Sequence, residues 1–147
     1  MTPETEKPRT AAEIAKDRLK QYIQLKREVE CEKERIDALY GPRIPNNSGM
    51  PHGSGVSDPT GNASKLISER KKIYEAIEAE FLEFQADLEK DMLILTPTER
   101  TLVRFKYMDG LKWEAVCGAI GYSWTHTHRI HSAALIKLGE HIAMAQG

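Results

Sequence analysis

The first long apolar pattern of the chain runs from about Thr10 to Tyr40, a stretch without glycine or proline that is rich in helix-forming residues. Its apolar residues alternate between steps of four and three positions once Lys26 and Lys33 are counted in the same frame. This heptad spacing predicts a helix with one apolar seam, and the two lysines indicate loose packing or partial exposure. An amphipathic helix lying on another surface explains the pattern as well as a coiled coil does. The apolar seam residues are Ala15, Leu19, Tyr22, Val29, Ile36 and Tyr40.

A second heptad pattern predicts another helix from about Ala63 to Leu93. Residues 41–62, between the two patterns, hold four of the seven prolines and five of the ten glycines, a density that no helix or central strand survives. Two long helices joined by such a loop most simply form an antiparallel hairpin over residues 10–94. Residues 1–9 are polar and predict a disordered tail. The seam of the second helix consists of Ile67, Tyr74, Ile77, Phe81, Phe84 and Leu88.

The last third of the chain predicts three shorter helices. The first begins at a TPTE stretch at residues 96–99, which has the cap residue, first-turn proline and glutamate of a capping box. A second, short helix over residues 112–120 is broken at Gly121, where glycine adopts a left-handed turn without strain. Ser123 then caps the final helix. Two helices joined by a tight glycine turn predict a helix-turn-helix domain over residues 95–147.

Charge is unevenly distributed along the 147 residues. Residues 96–147 carry six basic and four acidic side chains, a net charge of +2, whereas residues 1–95 carry fifteen basic and eighteen acidic side chains, a net charge of −3. The difference gives weak support to an anionic partner at the C-terminal end. Protonation of any of the four histidines in that end would increase its positive charge.

Cysteine usage and the absence of apolar runs predict a cytoplasmic protein. Cys31 and Cys117 are far apart and form no CxxC pair, which indicates a reducing environment. No apolar run approaches the roughly 18–20 residues that span a bilayer. The polar N-terminus lacks the apolar core of an export signal. Nothing in the pattern calls for a cofactor.

The predicted final helix presents an unusual polar surface. An advance of about 100° per residue places Thr125, His128 and Ser132 on the face opposite its apolar residues. In helix-turn-helix proteins the second helix enters the major groove of DNA. Histidine, threonine, serine and arginine side chains bond to bases or phosphates, and an exposed tryptophan can lie against a thymine methyl group. The candidate base-reading residues are therefore Trp124, Thr125, His126, His128 and Arg129.

The histidines of the final helix also suit roles other than DNA reading. His128 and His131 are three positions apart and could share a metal ion, but no acidic or thiol ligand joins them on that face, which disfavours zinc. Glu140 and His141 lie far from any nucleophile or glycine-rich phosphate loop, which disfavours an enzyme. A third reading, in which the histidines only decorate a solvated helix, stays open.

Residues Leu95 to Leu138 resemble region 4 of sigma-70-type sigma factors, whose helix-turn-helix reads the −35 promoter element. The resemblance rests on the T-P-x-E opening, on Arg104 and Lys106 before an aromatic residue, on the central glycine and on the closing A-L-x-K-L. With its long helices and its GMPHGSGVSD loop, the chain also looks like the small RinA-like and ArpU-like late-transcription regulators of phages and prophages. The resemblance implies DNA binding near a phage promoter and contact with host RNA polymerase.

The chain departs from the sigma pattern along the recognition helix. Sigma factors place several arginines and a glutamate where this chain has Trp124, Thr125, His126 and His128, so no −35 preference is implied. Thr127 occupies a position where the motif usually buries an aliphatic side chain. We expect DNA phosphates to be held by Arg104, Lys106, Lys112 and Lys137, of which Lys106 has the best support from the resemblance and Lys137 is equally compatible with free solvation.

We therefore expect an all-α transcription regulator that binds double-stranded DNA through residues 95–147 and forms a homodimer through its N-terminal helices. The main alternative is a protein-interaction module that docks on RNA polymerase or another phage protein without reading DNA. A phage packaging or structural adaptor is a third possibility.

Overall fold

The computed structural model describes residues 8–40 and 60–146, and within these ranges the chain forms helices and no strand. The prediction of an all-α protein is therefore confirmed. The predicted tail at residues 1–9 lies outside the described residues except for its last two, and the predicted loop at residues 41–62 lies outside them except for its last three. Among the described residues, no helix is both long and apolar enough to cross a membrane.

Two long helices come first. Helix α1 spans Ala11–Leu39, within a residue of the predicted bounds, and α2 spans Thr60–Asp91, so it begins three residues before its predicted start. A 3-10 turn at Met92–Ile94 follows α2 directly. The antiparallel pairing of the two helices stays a prediction.

Helices α3, α4 and α5 span Pro97–Val103, Trp113–Ile120 and Trp124–Gln146. A π-helical turn, Arg104–Met108, extends α3, and its wider spacing is visible in the 2.8 Å bond from the Asp109 N–H to the Arg104 carbonyl. The predicted order of a capped helix, a short helix and a longer final helix is confirmed.

The capping box at the start of α3 is also confirmed. The Glu99 N–H donates to the Thr96 hydroxyl at 3.2 Å, and the Thr96 N–H donates to the Glu99 carboxylate at 2.9 Å. These reciprocal bonds satisfy two backbone donors that the first turn of a helix leaves without partners. Pro97 occupies the first turn, where its missing N–H costs nothing.

The chain divides into two compact units, and both long helices contribute to each of them. The first unit contains the chain up to Gln24 and from Glu83 onward, and the second contains Leu25–Leu82. The predicted boundary between residues 94 and 95 stays a prediction.

The second unit contains a buried charge within its apolar seam. Glu32 is 7% exposed and its carboxylate lies 2.9 Å from Arg35 and 3.7 Å from Arg70 of α2. Lys33, which the heptad frame places in the seam, is exposed instead. From Val29 to Ile36, one helix face can pass through position 32, by steps of three and four, or through position 33, by steps of four and three. The ion pairs with Arg35 and Arg70 favour Glu32 in the buried position.

In the first unit, the start of α1 and the end of α2 share a core with the three shorter helices. The Arg18 guanidinium lies over the Phe84 ring at 4.7 Å. Gly139 of α5 packs against the backbone of Ala11, and a β-carbon at position 139 would overlap the Ala11 carbonyl oxygen. The most deeply buried side chains of this unit are Ala15, Leu19, Leu88, Met92, Leu102, Val103, Val116, Thr127, Ala134 and Leu138.

Candidate nucleic-acid interface

The turn between α4 and α5 sets the position of the candidate surface. Gly121 ends α4 with a φ of 76°, in the left-handed region, and its N–H donates to the Cys117 carbonyl at 2.9 Å. This is the backbone conformation that the sequence predicted for this glycine. Two residues later, the Ser123 hydroxyl accepts the His126 N–H at 3.2 Å and caps α5. The helix therefore begins at a defined residue, and its first turns carry the candidate reading residues.

Four of the five candidate base-reading residues are exposed on the first two turns of α5. Trp124 is 54% exposed, and the side chains of Thr125, His126 and Arg129 are also open to solvent. The His126 ring lies 4.6 Å from the ring of Tyr122, in an edge-to-face arrangement. These residues form a surface with hydrogen-bond donors and acceptors and one large apolar ring.

His128, the fifth candidate, lies in a different environment. Its ring is half-buried between two tryptophans, with centroids 4.3 Å from Trp113 and 4.5 Å from Trp124. Its Nε2 atom is buried and has no hydrogen-bond partner among the described residues. One of the two imidazole nitrogens that could bond to a base is therefore enclosed by the protein.

The four candidate phosphate residues also divide into two groups. Lys112 is exposed just before α4, and the Lys106 ammonium lies 4.9 Å from the centre of the Trp113 ring, a cation–π contact. Arg104 and Lys137, by contrast, are already paired with carboxylates. The Arg104 guanidinium lies 3.1 Å from Glu89, and the Lys137 ammonium lies 3.0 Å from Glu99.

The pair between Lys137 and Glu99 links α5 to the start of α3. Burial opposes ionisation of Glu99, but the hydrogen bonds from the Thr96 backbone and from Lys137 outweigh it and hold the pKa of Glu99 below its ordinary value. Glu99 is only 5% exposed. Since removing one partner of a buried pair leaves the other unsatisfied, a phosphate contact by Lys137 would have to keep this bond.

Beneath the exposed surface, His131 is buried and forms a hydrogen bond of 2.7 Å with the Tyr107 hydroxyl. Its ring also meets Trp113 edge to face at 4.6 Å. Burial, and then the nearby positive charge of Lys16, with further contributions from His128 and Lys106, lowers the pKa of His131 to about 4. His131 is therefore neutral near pH 7 and belongs to the core.

The core role of His131 was missed from the sequence, although a signal for it exists. Residues 127, 131, 134 and 138 follow the four-three-four spacing of one helix face. Thr127, Ala134 and Leu138 are fully buried, and His131 lies on the same stripe. The prediction that Thr127 takes the place of a buried aliphatic residue is consistent with its hydroxyl, which is buried without a partner among the described residues.

In the part of the chain that the structure describes, no group of three or more histidine, cysteine, aspartate or glutamate side chains is placed to hold a metal ion. Comparisons of the chain with protein-family models, with curated proteins and with solved structures found no match.

Proposed function

We propose that the protein is a transcription regulator that binds double-stranded DNA by inserting the start of α5 into the major groove. The observation that carries this proposal is the turn at Gly121, which joins two helices and leaves the first turns of the second one exposed. This is the arrangement that helix-turn-helix proteins use to present side chains to base edges.

The chemistry of the exposed side chains supports the proposal. Arg129 can form bidentate bonds to guanine, Thr125 and His126 can bond to base edges, and the open ring of Trp124 can contact a thymine methyl group. Lys106 lies against the Trp113 ring, and Lys112 precedes Trp113 in the chain. Neither lysine has a carboxylate partner among the described ion pairs, and they would hold phosphates. Arg104 and Lys137 would join them only while sharing their present partners.

Around this DNA-binding region we propose the wider organisation that the sequence predicts. The long helices form an antiparallel hairpin that dimerises, and two copies would then read paired half-sites. The resemblance to phage late-transcription regulators supports a protein that acts in the cytoplasm of a bacterial host and contacts RNA polymerase, as a binding protein rather than an enzyme.

A second candidate function is a docking module that binds RNA polymerase or another phage protein without reading DNA. The pairing of Arg104 and Lys137 with carboxylates favours it, because it lowers the number of cations free for phosphates. The exposure of Tyr122, at 43%, beside that of Trp124 also favours it, because aromatic residues are enriched in protein interfaces.

Selection of bound sequences from a pool of random duplexes distinguishes the two functions. Enrichment of a common motif by the full-length protein is the expected result, and a paired motif would support the dimer. Recovery that stays flat over repeated rounds, together with binding to purified RNA polymerase, would favour the docking module instead. A matched selection with Arg129→Ala tests whether any enrichment depends on the proposed surface.

A further inference from the structure

Trp113, His128 and Trp124 form a row of three rings in tilted contact, which we call the three-ring stack. His128 lies between the two indoles, tilted 43° from Trp113 and 49° from Trp124. Trp124 and His128 are four positions apart on α5 and so share one helix face, whereas Trp113 comes from the first turn of α4. The stack therefore connects the two helices of the proposed DNA-binding motif.

The inner end of the stack is held in place. The Lys106 ammonium lies over the Trp113 ring. Trp113 also forms an edge-to-face contact with His131, which is hydrogen-bonded to Tyr107. The outer end is open, since Trp124 is the most exposed ring of the three. Contacts thus run from a buried histidine to an aromatic ring in solvent.

We infer that His128 is a positioning residue, which fixes the Trp124 ring for contact with a thymine methyl group or a sugar, and that it does not itself read a base. This inference rests on the proposed DNA binding and changes the role that the sequence suggested for His128. It follows from the contacts of the His128 ring with both indoles and from the burial of Nε2, which leaves only Nδ1 to bond to a base.

The physical benefit of the stack is preorganisation. A tryptophan in the first turn of a helix without neighbours samples several rotamers and loses that freedom when it binds. Contact with the His128 ring restricts Trp124 before DNA arrives, so less entropy is lost on binding. An aromatic pair contributes enough to change an affinity by roughly 2- to 12-fold.

Two substitutions of His128 separate positioning from base reading, because they keep different properties of imidazole. His128→Phe keeps a flat ring between the indoles and removes both nitrogens. His128→Gln keeps a donor and an acceptor and removes the ring. If His128 positions Trp124, His128→Phe binds the selected duplex about as well as the wild type, and His128→Gln binds it roughly 2- to 12-fold more weakly. If His128 reads a base, the order is reversed and the inference is overturned.

A fluorescence experiment on the free, full-length protein tests the same inference without DNA. The chain has two tryptophans, so Trp113→Phe leaves Trp124 as the sole indole emitter. In that background we expect His128→Gln to lower the time-resolved anisotropy of Trp124 and to increase its quenching by acrylamide. His128→Phe should change neither. His126→Gln is the matched control, because it removes a histidine from the same helix that has no ring contact with Trp124 among the described residues.

The outcomes separate this inference from the proposed function. If no duplex is enriched by the wild type, DNA binding fails, and the fluorescence measurement alone decides whether His128 restrains Trp124. If a duplex is enriched but Trp124 is equally mobile in all variants, the positioning role fails while DNA binding stands. A double variant tests whether His128 acts through Trp124. In a protein that already carries Trp124→Ala, His128→Gln should weaken DNA binding no further. An additional loss of affinity would overturn the inference.

Discussion

At the scale of single residues, the lowered pKa of His131 makes the stability of the folded protein depend on pH. Its pKa of about 4 lies below the ordinary value of 6.5, so between these values the unfolded chain binds a proton that the folded protein excludes. The neutral ring therefore contributes stability that is fully present above pH 6.5 and is lost as the pH falls from 6.5 towards 4. The shift corresponds to a total of about 3 kcal/mol.

Replacing His131 by glutamine should remove this part of the pH dependence. Between pH 7.5 and pH 5 we expect the free energy of unfolding of the wild type to fall by about 2 kcal/mol more than that of His131→Gln, because glutamine binds no proton and can still accept a bond from Tyr107. Urea denaturation at the two pH values measures the difference. Parallel curves for the two proteins would show that His131 is protonated in the folded state as readily as in the unfolded chain.

Arg129 and Lys106 should affect DNA binding in different ways. Arg129→Ala should weaken binding to the selected duplex by about 1–3 kcal/mol and binding to random duplex much less, because a base contact carries sequence information. Lys106→Ala should weaken both alike and reduce the dependence on salt, because a phosphate contact releases counterions from any sequence. Fluorescence anisotropy titrations at several salt concentrations measure both effects. Equal losses on both duplexes for Arg129→Ala would remove Arg129 from the reading set.

At the scale of helices, two glycines of the first unit have opposite surroundings. Gly139 lies in α5 against the backbone of Ala11, where no β-carbon fits, whereas Gly118 lies in α4 with open space where its β-carbon would be. Glycine weakens a helix by about 1 kcal/mol relative to alanine because it loses more backbone freedom on folding. Glycine at position 139 carries this cost, but it allows the backbone of α5 to approach the backbone at Ala11 closely.

Substitution of glycine by alanine should therefore change the free energy of unfolding in opposite directions at the two sites. Gly118→Ala should stabilise the protein by about 0.5–1 kcal/mol. Gly139→Ala should destabilise it by about 1–3 kcal/mol, because the obstacle is backbone and cannot rotate away. Thermal or urea unfolding of both variants against the wild type provides the measurement, and each variant is the control for the other. Stabilisation by Gly139→Ala would mean that the start of α1 does not pack closely on α5 in solution.

Features that depend on neighbouring residues in the sequence could be predicted, and those that depend on contacts between helices could not. The capping box at Thr96 and the turn at Gly121 involve bonds within a few residues, so their side chains and spacing predict them. The place of His128 depends on Trp113, which belongs to another helix. The ion pair between Arg104 and Glu89 likewise joins residues fifteen positions apart. Helical periodicity carries no information on such a pair.

At the scale of the whole molecule, the described residues of the second compact unit leave several large apolar side chains exposed. Among its described residues it contains only parts of two helices, and Leu66, Ile73 and Leu82 of α2 are 49%, 44% and 52% exposed. The α2 seam residues of this unit, among them Phe81, are only half-buried. Apolar side chains in this number on one helix are consistent with the proposed association of two chains.

We therefore expect a homodimer that Phe81→Asp converts to a monomer, because a carboxylate in the seam would have to be desolvated on association. Multi-angle light scattering at tens of micromolar gives the mass directly. Ser68→Asp is the matched control, since it introduces the same charge at an exposed polar position of α2 outside the seam, and should leave the dimer intact. A wild-type protein with the mass of one chain would exclude the dimer at these concentrations.

The distribution of the two cysteines has a practical consequence for spectroscopy. Cys31 is exposed in the second unit, and Cys117 is half-buried in the first, and both are free thiols. Nitroxide labels on the two natural cysteines therefore report the distance between the units by pulsed electron spin resonance, with no engineered site. Because Cys31 is more accessible, a limiting amount of reagent labels it first, and in a dimer the Cys31 labels alone would give a single distance across the subunit interface.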